Sequence, residues 1–150
     1  TCLAWASEGP FVRKRIPRAL ASPAAWRAAS TATCSRIPRI WDSYELPDEF
    51  VVICDYVEGE TLTVRMRAAG HFSEARAVRI ALDVCEAAAA LHACGVVHRD
   101  ITPNNVVLAA DGAHLVDLGI ARVHANMICV TQQLLEPGVL LRRSNLLYTN

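Results

Sequence analysis

The sequence predicts an α+β protein with two lobes and a functional site between them. Its first half carries short β-branched and aromatic runs that are bounded by Pro, Gly and Asp, a pattern typical of strands. Its second half carries the strongest helical periodicity of the chain, followed by a polar hairpin. Because strands come first and helices follow, without regular alternation, we expect a sheet-rich body and a helical body.

The β-rich runs are predicted as two strand pairs, at 3–6 with 11–16 and at 37–44 with 50–54. Glu8-Gly9-Pro10 supplies the first turn, and Pro17 ends the second strand. The Ala-rich segment 19–33 predicts a helix between the two pairs. After the second pair, Gly59 marks a flexible connector.

Two helices and a hairpin are predicted in the second half. The first helix covers 61–69 and ends at Gly70, and the second begins after Ser73, an N-cap residue followed by Glu74. Apolar residues then recur at helical spacing up to Gly95, at Ala77, Ile80, Ala81, Val84, Ala88 and Leu91. Beyond Val96-Val97, the runs 105–108 and 114–116 predict a hairpin around Asp111-Gly112.

Composition narrows the classes of protein. The 150 residues are enough for one domain, and 15 basic residues balance 15 acidic ones, so the overall charge does not indicate nucleic acid or an anionic membrane as a partner. Seven basic residues and no acidic residue lie between Gly9 and Trp41, but aromatic residues do not alternate with them as in nucleic-acid patches. The longest apolar candidate for a membrane segment, 80–97, is broken by charged residues and a histidine, so we expect no membrane segment in this piece.

The six cysteines do not form any C-x-x-C pair, and several lie within apolar runs. This pattern favours buried free thiols in a reducing cytoplasm over a disulfide framework or a zinc site. We therefore expect a cytoplasmic protein.

An acid, an amide and a second acid follow one another along one part of the chain. They lie in the run His98-Arg99-Asp100-Ile101-Thr102-Pro103-Asn104-Asn105 and in Asp117-Leu118-Gly119 after it. Asp100 can accept a proton from an attacking hydroxyl, while Asn105 and Asp117 offer oxygen ligands to Mg²⁺. The pattern resembles the protein-kinase signature H-R-D-x-x-x-x-N with D-F-G, which is written D-L-G here. The chain is similar to bacterial serine/threonine kinases over about 11–123, with its most specific part at 98–122.

The resemblance implies a partial kinase domain over 1–123, with part of the N-lobe and hinge at 1–57 and part of the C-lobe at 58–123. It implies ATP and Mg²⁺ as cofactors and a protein bearing a Ser or Thr hydroxyl as the partner. Asp100 would be the catalytic base, and Arg99 would pair with a phosphorylated activation loop. Phe11-Val12-Arg13-Lys14 resembles V-A-I-K, so that Lys14 would hold the α- and β-phosphates.

The adenosine part of ATP is assigned by the same resemblance. Cys54 would be the gatekeeper, and the backbone of Asp55 and Val57 would pair with the adenine edge. Glu60 would reach the ribose, and Val107 would form the floor under the base.

Three departures from the family pattern bear on activity. The helix glutamate that normally holds the strand lysine would fall near Ala28, where the chain has no acidic residue. Thr102 stands where serine/threonine kinases usually have a lysine that contacts the γ-phosphate. A glycine-rich phosphate loop is also missing. We therefore expect this 150-residue piece to have little activity alone.

The segment after Val123 departs most, because it lacks an A-P-E-type anchor. A shifted reading of its possible codons permits a peptide that resembles the kinase G-T-x-G-x-x-A-P-E segment. The sequence therefore predicts that 124–150 is an out-of-frame or disordered tail.

Other classes remain open beside an active kinase. A pseudokinase that binds nucleotide or acts as a scaffold is favoured by the missing glutamate and by Thr102, and opposed by Asp100, Asn105 and Asp117. A small-molecule phosphotransferase of the aminoglycoside or choline type shares the H-x-D-x-x-x-x-N logic, but Arg99 argues against it. A frameshifted gene fragment without function is the remaining possibility.

Overall fold

The computed structural model describes the backbone of residues 2–6 and 9–124 and the side chains of residues 10–124. The predicted tail, 124–150, falls outside these described residues apart from His124. Among the described residues, no helix is long and apolar enough to cross a membrane.

The first half forms a four-stranded antiparallel sheet in the order β1-β2-β4-β3. Its strands are β1 (Cys2–Ala6), β2 (Gly9–Pro17), β3 (Ile40–Glu45) and β4 (Glu49–Asp55). Both predicted strand pairs are thus present, with ends that differ from the predicted ones by a few residues. Along β2, Val12, Lys14 and Ile16 are partly or fully buried, whereas Arg13 and Arg15 are exposed. This alternation sends Lys14 toward the interior of the molecule.

Carboxylates of β3 and β4 form ion pairs with exposed arginines of β2, of the turn that follows it and of the next helix. Arg15 lies 2.5 Å from Glu49, and Glu45 accepts both Arg18 at 3.0 Å and Arg27 at 2.6 Å. Three of the seven basic residues of the acid-free segment are therefore paired with carboxylates of β3 and β4.

The predicted helix over 19–33 is shorter in the structure, where α1 covers only Pro23–Ala29. Pro23 takes the first helical turn, where its missing N–H costs no hydrogen bond. At the other end, the Ser30 and Thr31 hydroxyls donate to the carbonyls of Arg27 and Ala28 at 2.7 Å, which competes with continuation of the helix. α1 buries Ala25, Trp26 and Ala29 against the sheet.

The second half contains α2 (Leu62–Ala69) and α3 (Glu74–Ala93). Both begin with a side-chain cap, since the Thr61 hydroxyl accepts the Val64 N–H at 3.3 Å and the Ser73 hydroxyl accepts the Arg76 N–H at 3.4 Å. Gly70 ends α2 with a φ of 72°, a conformation that favours glycine.

The buried face of α3 matches the predicted apolar stripe only in part, since Leu91 is buried and Ile80 and Val84 pack against the core. Ala77 and Ala81 are exposed, and the fully buried positions are Asp83, Ala87 and Leu91. An aspartate therefore occupies a core position that apolar periodicity alone cannot reveal.

The polar hairpin is formed by β7 (Val106–Ala109) and β8 (Gly112–Leu115), after the 3₁₀ turn Pro103–Asn105. Two short pairings that the sequence did not predict attach neighbouring segments. β5 (Glu60–Thr61) pairs with β7, and β6 (Val96–Val97) pairs with β9 (Arg122–Val123). One hydrophobic core joins both halves, including Phe50 and Val52 of β4, Leu91 of α3 and Leu115 of β8.

Candidate active site

A cavity of about 290 Å³ lies between the sheet and the hairpin. The sheet side contributes Val12 and Lys14, and the hairpin side contributes Val107 and Asp117. The connecting residues 54–57 form a further wall. The cavity is therefore placed between the two lobes, as the sequence predicts.

The ammonium group of Lys14 forms an ion pair with the carboxylate of Asp117 across this cavity. The two side chains are 21% and 38% exposed, so that they remain accessible to a charged ligand. Burial alone would raise the pKa of Asp117, but the hydrogen bond and positive charge of Lys14 outweigh it and hold this pKa below its ordinary value. Asp117 therefore supplies the carboxylate partner for Lys14 that α1 lacks.

Asp117 is held in a constrained backbone conformation. Its φ of 67° lies in the left-handed region, which is uncommon for a residue other than glycine and is concentrated at functional sites. The N–H of Gly119 donates to Asp117 Oδ1 at 2.8 Å, and a Cβ added at Gly119 would lie 2.9 Å from the same oxygen. A Cβ at position 119 would therefore force the Asp117 carboxylate to shift.

The catalytic-loop residues form a second hydrogen-bonded group beside this pair. Asn105 Nδ2 donates to Asp100 Oδ2 at 2.7 Å and to the Asp100 carbonyl at 3.0 Å. Because the amide nitrogen of Asn105 is occupied in this way, its Oδ1 atom is the group available to a cation. Asn105 lines the cavity together with Asp117.

His98 connects the catalytic loop to the strand end before Asp117. The Asp100 N–H donates to His98 Nδ1 at 3.2 Å, so His98 Nε2 carries the hydrogen and donates to the Val116 carbonyl at 3.1 Å. Burial lowers the pKa of His98, which favours this neutral form. His98 is 2% exposed and acts as a positioning residue for both acidic groups.

The connector contributes Asp55, Tyr56 and Val57 to the cavity wall. The side chain of Asp55 is used in hydrogen bonds within the protein. Its carboxylate accepts Trp41 Nε1 at 2.5 Å and the Arg39 N–H at 3.2 Å. This leaves backbone groups of the connector as the adenine-binding candidates. Next to them, burial raises the pKa of the Cys54 thiol to about 11, so Cys54 is a neutral wall residue.

Three of the predicted site residues, Asp100, Glu60 and Arg99, do not line the cavity. Glu60 is exposed and lies 3.3 Å from Arg65 Nη1, and Arg99 is exposed with a φ of 69°. Their assignments to the ribose and to a phosphorylated loop stay predictions.

Several cavity residues were not predicted from the sequence, among them Trp26, Ile37 and Pro38. Trp26 is 3% exposed, and its indole Nε1 has no hydrogen-bond partner among the described side chains and backbone. The only sequence signal for this cavity residue was a single tryptophan in the Ala-rich segment. Its position in the cavity wall depends on the tertiary fold.

The donor set suits magnesium. Asn105 and Asp117 supply two oxygen ligands, and Mg²⁺ typically combines one or two carboxylates with phosphate oxygens and water. Within residues 10–124, no group of three or more His, Cys, Asp or Glu side chains could hold a metal on its own. The arrangement therefore fits a cation that arrives with a phosphorylated ligand.

Comparison with known proteins agrees with this geometry. The family model described as protein kinase domain matches residues 26–148. The chain belongs to the protein kinase domain family. Lys14 lies before the matched range, so its assignment depends on the ion pair with Asp117.

Similar curated proteins are bacterial serine/threonine-protein kinases. PknD of Mycobacterium tuberculosis is 41% identical over 100 residues, which cover 64% of this chain and 15% of PknD. PknE of the same species is 33% identical over 116 residues, covering 77% of this chain and 19% of PknE. The probable kinase PkwA of Thermomonospora curvata is 42% identical over 67 residues, covering 45% of this chain and 9% of PkwA. The chain thus spans less than a fifth of the length of these relatives.

The Lys14–Asp117 pair predicts a specific acid dependence of stability. Because the pKa of Asp117 is lowered by folding, its contribution is present above the unfolded carboxyl pKa of 3.8 and is lost as pH falls through the folded value. The free energy of unfolding of the wild type should therefore approach that of Asp117→Asn as pH falls below about 4. Urea unfolding of both proteins between pH 3 and pH 7 measures the difference. A difference that stays constant over this range would show that the pair does not contribute as described.

Proposed function

We propose that the chain is the ATP-binding and catalytic-loop part of a serine/threonine protein kinase, which transfers the γ-phosphoryl group of ATP to a protein hydroxyl. The observation that carries the proposal is the meeting of Lys14 with Asp117 in a cavity that Asn105 also lines. A lysine from a sheet, an aspartate and an amide are the groups that phosphoryl transfer needs to hold phosphates and Mg²⁺.

In this proposal ATP separates the resting ion pair. Lys14 would move from Asp117 to the α- and β-phosphates, and Asp117 with the Oδ1 atom of Asn105 would hold the cation. Magnesium supplies charge neutralisation of the phosphates. The backbone of Asp55 and Val57 holds the adenine edge, Val107 lies under the base, and Glu60 is assigned to the ribose.

Asp100 is assigned to the reacting hydroxyl. The substrate oxygen attacks the γ-phosphorus, its bond to phosphorus forms as the bond to the β–γ bridging oxygen breaks, and ADP leaves. The hydroxyl proton passes to the Asp100 carboxylate, which the Asn105 amide orients at 2.7 Å. Arg99 is assigned to a phosphorylated loop of the complete enzyme.

We also propose a partner and a cellular location for the chain. The partner is a protein that carries Ser or Thr hydroxyls, and nucleic acid is not a partner. The location is the cytoplasm, which supplies ATP and keeps thiols reduced, and the four cysteines within 10–124 are all free thiols.

A pseudokinase is the second candidate function. The absence of an acidic residue from α1 and the presence of Thr102 favour it, because both remove groups that would hold ATP in a reactive position. In this case the chain binds nucleotide, and the binding serves a scaffolding role without turnover.

Nucleotide binding by the full 150-residue chain tests the proposal. A fluorescent ATP analogue should bind more tightly with Mg²⁺ than without it, and Lys14→Met should weaken binding by roughly tenfold or more through loss of a charged contact. Arg15→Met is the matched control, since Arg15 is the next residue on β2, faces solvent and pairs with Glu49. If Lys14→Met and Arg15→Met bind equally well, the proposed phosphate site is wrong.

Phosphotransfer that depends on Asp100 would exclude the pseudokinase. With radiolabelled ATP and casein, we expect the 150-residue chain to show little or no transfer, because helix glutamate and loop lysine are both missing. Transfer that falls by about a hundredfold or more in Asp100→Asn, the effect of removing a general base, would contradict this expectation and exclude the pseudokinase.

A further inference from the structure

A buried ion pair lies at the outer edge of β8, away from the nucleotide cavity. Asp83 on α3 is 4% exposed, and Arg36 comes from the segment between α1 and β3. Arg36 Nε lies 3.5 Å from Asp83 Oδ1, close enough for an ion pair although Nε lacks a hydrogen-bond partner among the described atoms. Arg36, from the first half of the chain, thus forms a charged contact with Asp83 in the second half.

This pair completes the hydrogen bonding of an edge strand. β7 pairs with one edge of β8, so alternate N–H groups of β8 point away from β7. The Ala113 N–H donates to Asp83 Oδ2 at 2.9 Å, and the Leu115 N–H donates to the Arg36 carbonyl at 2.9 Å. A carboxylate and a carbonyl therefore occupy the positions that a third strand would take.

The turn of the hairpin is fixed by the same arginine. Arg36 Nη1 donates to the Asp111 carbonyl at 2.8 Å. At Gly112, with a φ of 140°, an added Cβ would lie 2.4 Å from Arg36 Nη1 and 2.8 Å from Asp83 Oδ2. The pair is packed so closely against the hairpin that only glycine fits.

The strand held in this way leads directly to the metal-binding aspartate. Two residues after Leu115 the chain reaches Asp117, and the intervening Val116 donates its N–H to the Asn105 carbonyl at 2.8 Å. On the other side of Arg36, Ile37 and Pro38 line the nucleotide cavity. Arg36 therefore ties one cavity wall to the strand that delivers Asp117.

We infer that Arg36 and Asp83 are positioning residues for the cation site at Asp117 and Asn105. This inference rests on the proposed function, because it assigns them to the binding of Mg²⁺ with nucleotide. A buried charge pair gives little net stability compared with apolar residues, so its directional contacts to β8 are its specific contribution. Partners that orient metal ligands typically change metal affinity by about 10- to 100-fold when they are removed.

The test measures the Mg²⁺ concentration that gives half of the maximal binding of a fluorescent ATP analogue to the 150-residue chain. In Arg36→Met this concentration should rise about tenfold, while the affinity for nucleotide in EDTA should change less than about twofold. Arg36→Lys and Asp83→Asn should give intermediate shifts, since Lys keeps the charge and Asn keeps an acceptor for Ala113. Arg27→Met is the control, because Arg27 is exposed and pairs with Glu45.

Thermal unfolding of each variant separates positioning from simple loss of structure. If Arg36→Met does not fold, Arg36→Lys and Asp83→Asn decide the question. An unchanged Mg²⁺ requirement in the folded variants, or equal losses with and without Mg²⁺, would overturn the inference alone. A wild-type chain whose nucleotide binding ignores Mg²⁺ would overturn the proposed function and the inference with it.

Discussion

The contact between Lys14 and Asp117 is the constraint on which the site depends. One residue lies on β2 of the sheet, the other follows β8 of the hairpin, and their ion pair spans the cavity between the two lobes. In most of its family the strand lysine has a helix glutamate as a partner, but α1 offers only apolar side chains and an arginine. Asp117 must therefore serve two roles here, as the resting partner of Lys14 and as the proposed cation ligand.

The surroundings of Asp117 explain how a loop residue can have a defined position. His98 and Asn105 hold Val116 from the catalytic-loop side, and Gly119 donates to the aspartate itself. The strand before it is bounded by β7 on one edge and by Arg36 and Asp83 on the other. These contacts keep Asp117 in a left-handed conformation, whose cost of about 1–3 kcal/mol other parts of the fold must offset.

The sequence predicted those elements that depend on interactions within a short segment of the chain. The cap at Ser73, the end of α2 at Gly70 and the strand that carries Lys14 are properties of short segments, and the structure contains each of them. The two-residue strands β5 and β9 were missed because they exist only through pairing with distant partners. For the same reason the buried Asp83 and the cavity residue Trp26 could not be predicted, since their roles depend on tertiary neighbours.

The metal–phosphate site at the Lys14–Asp117 pair is tested most directly by mapping a bound cation onto the protein, with ATP present and with Mn²⁺ as a paramagnetic substitute for Mg²⁺. Amide signals of the 150-residue chain would be recorded by NMR with Mn²⁺ alone and with Mn²⁺ and ATP together. We predict nucleotide-dependent broadening centred on Asn105 and on Asp117 to Gly119, with weaker effects at Ala113. Broadening that is centred elsewhere, or that is the same without ATP, would contradict a metal–phosphate site at the Lys14–Asp117 pair.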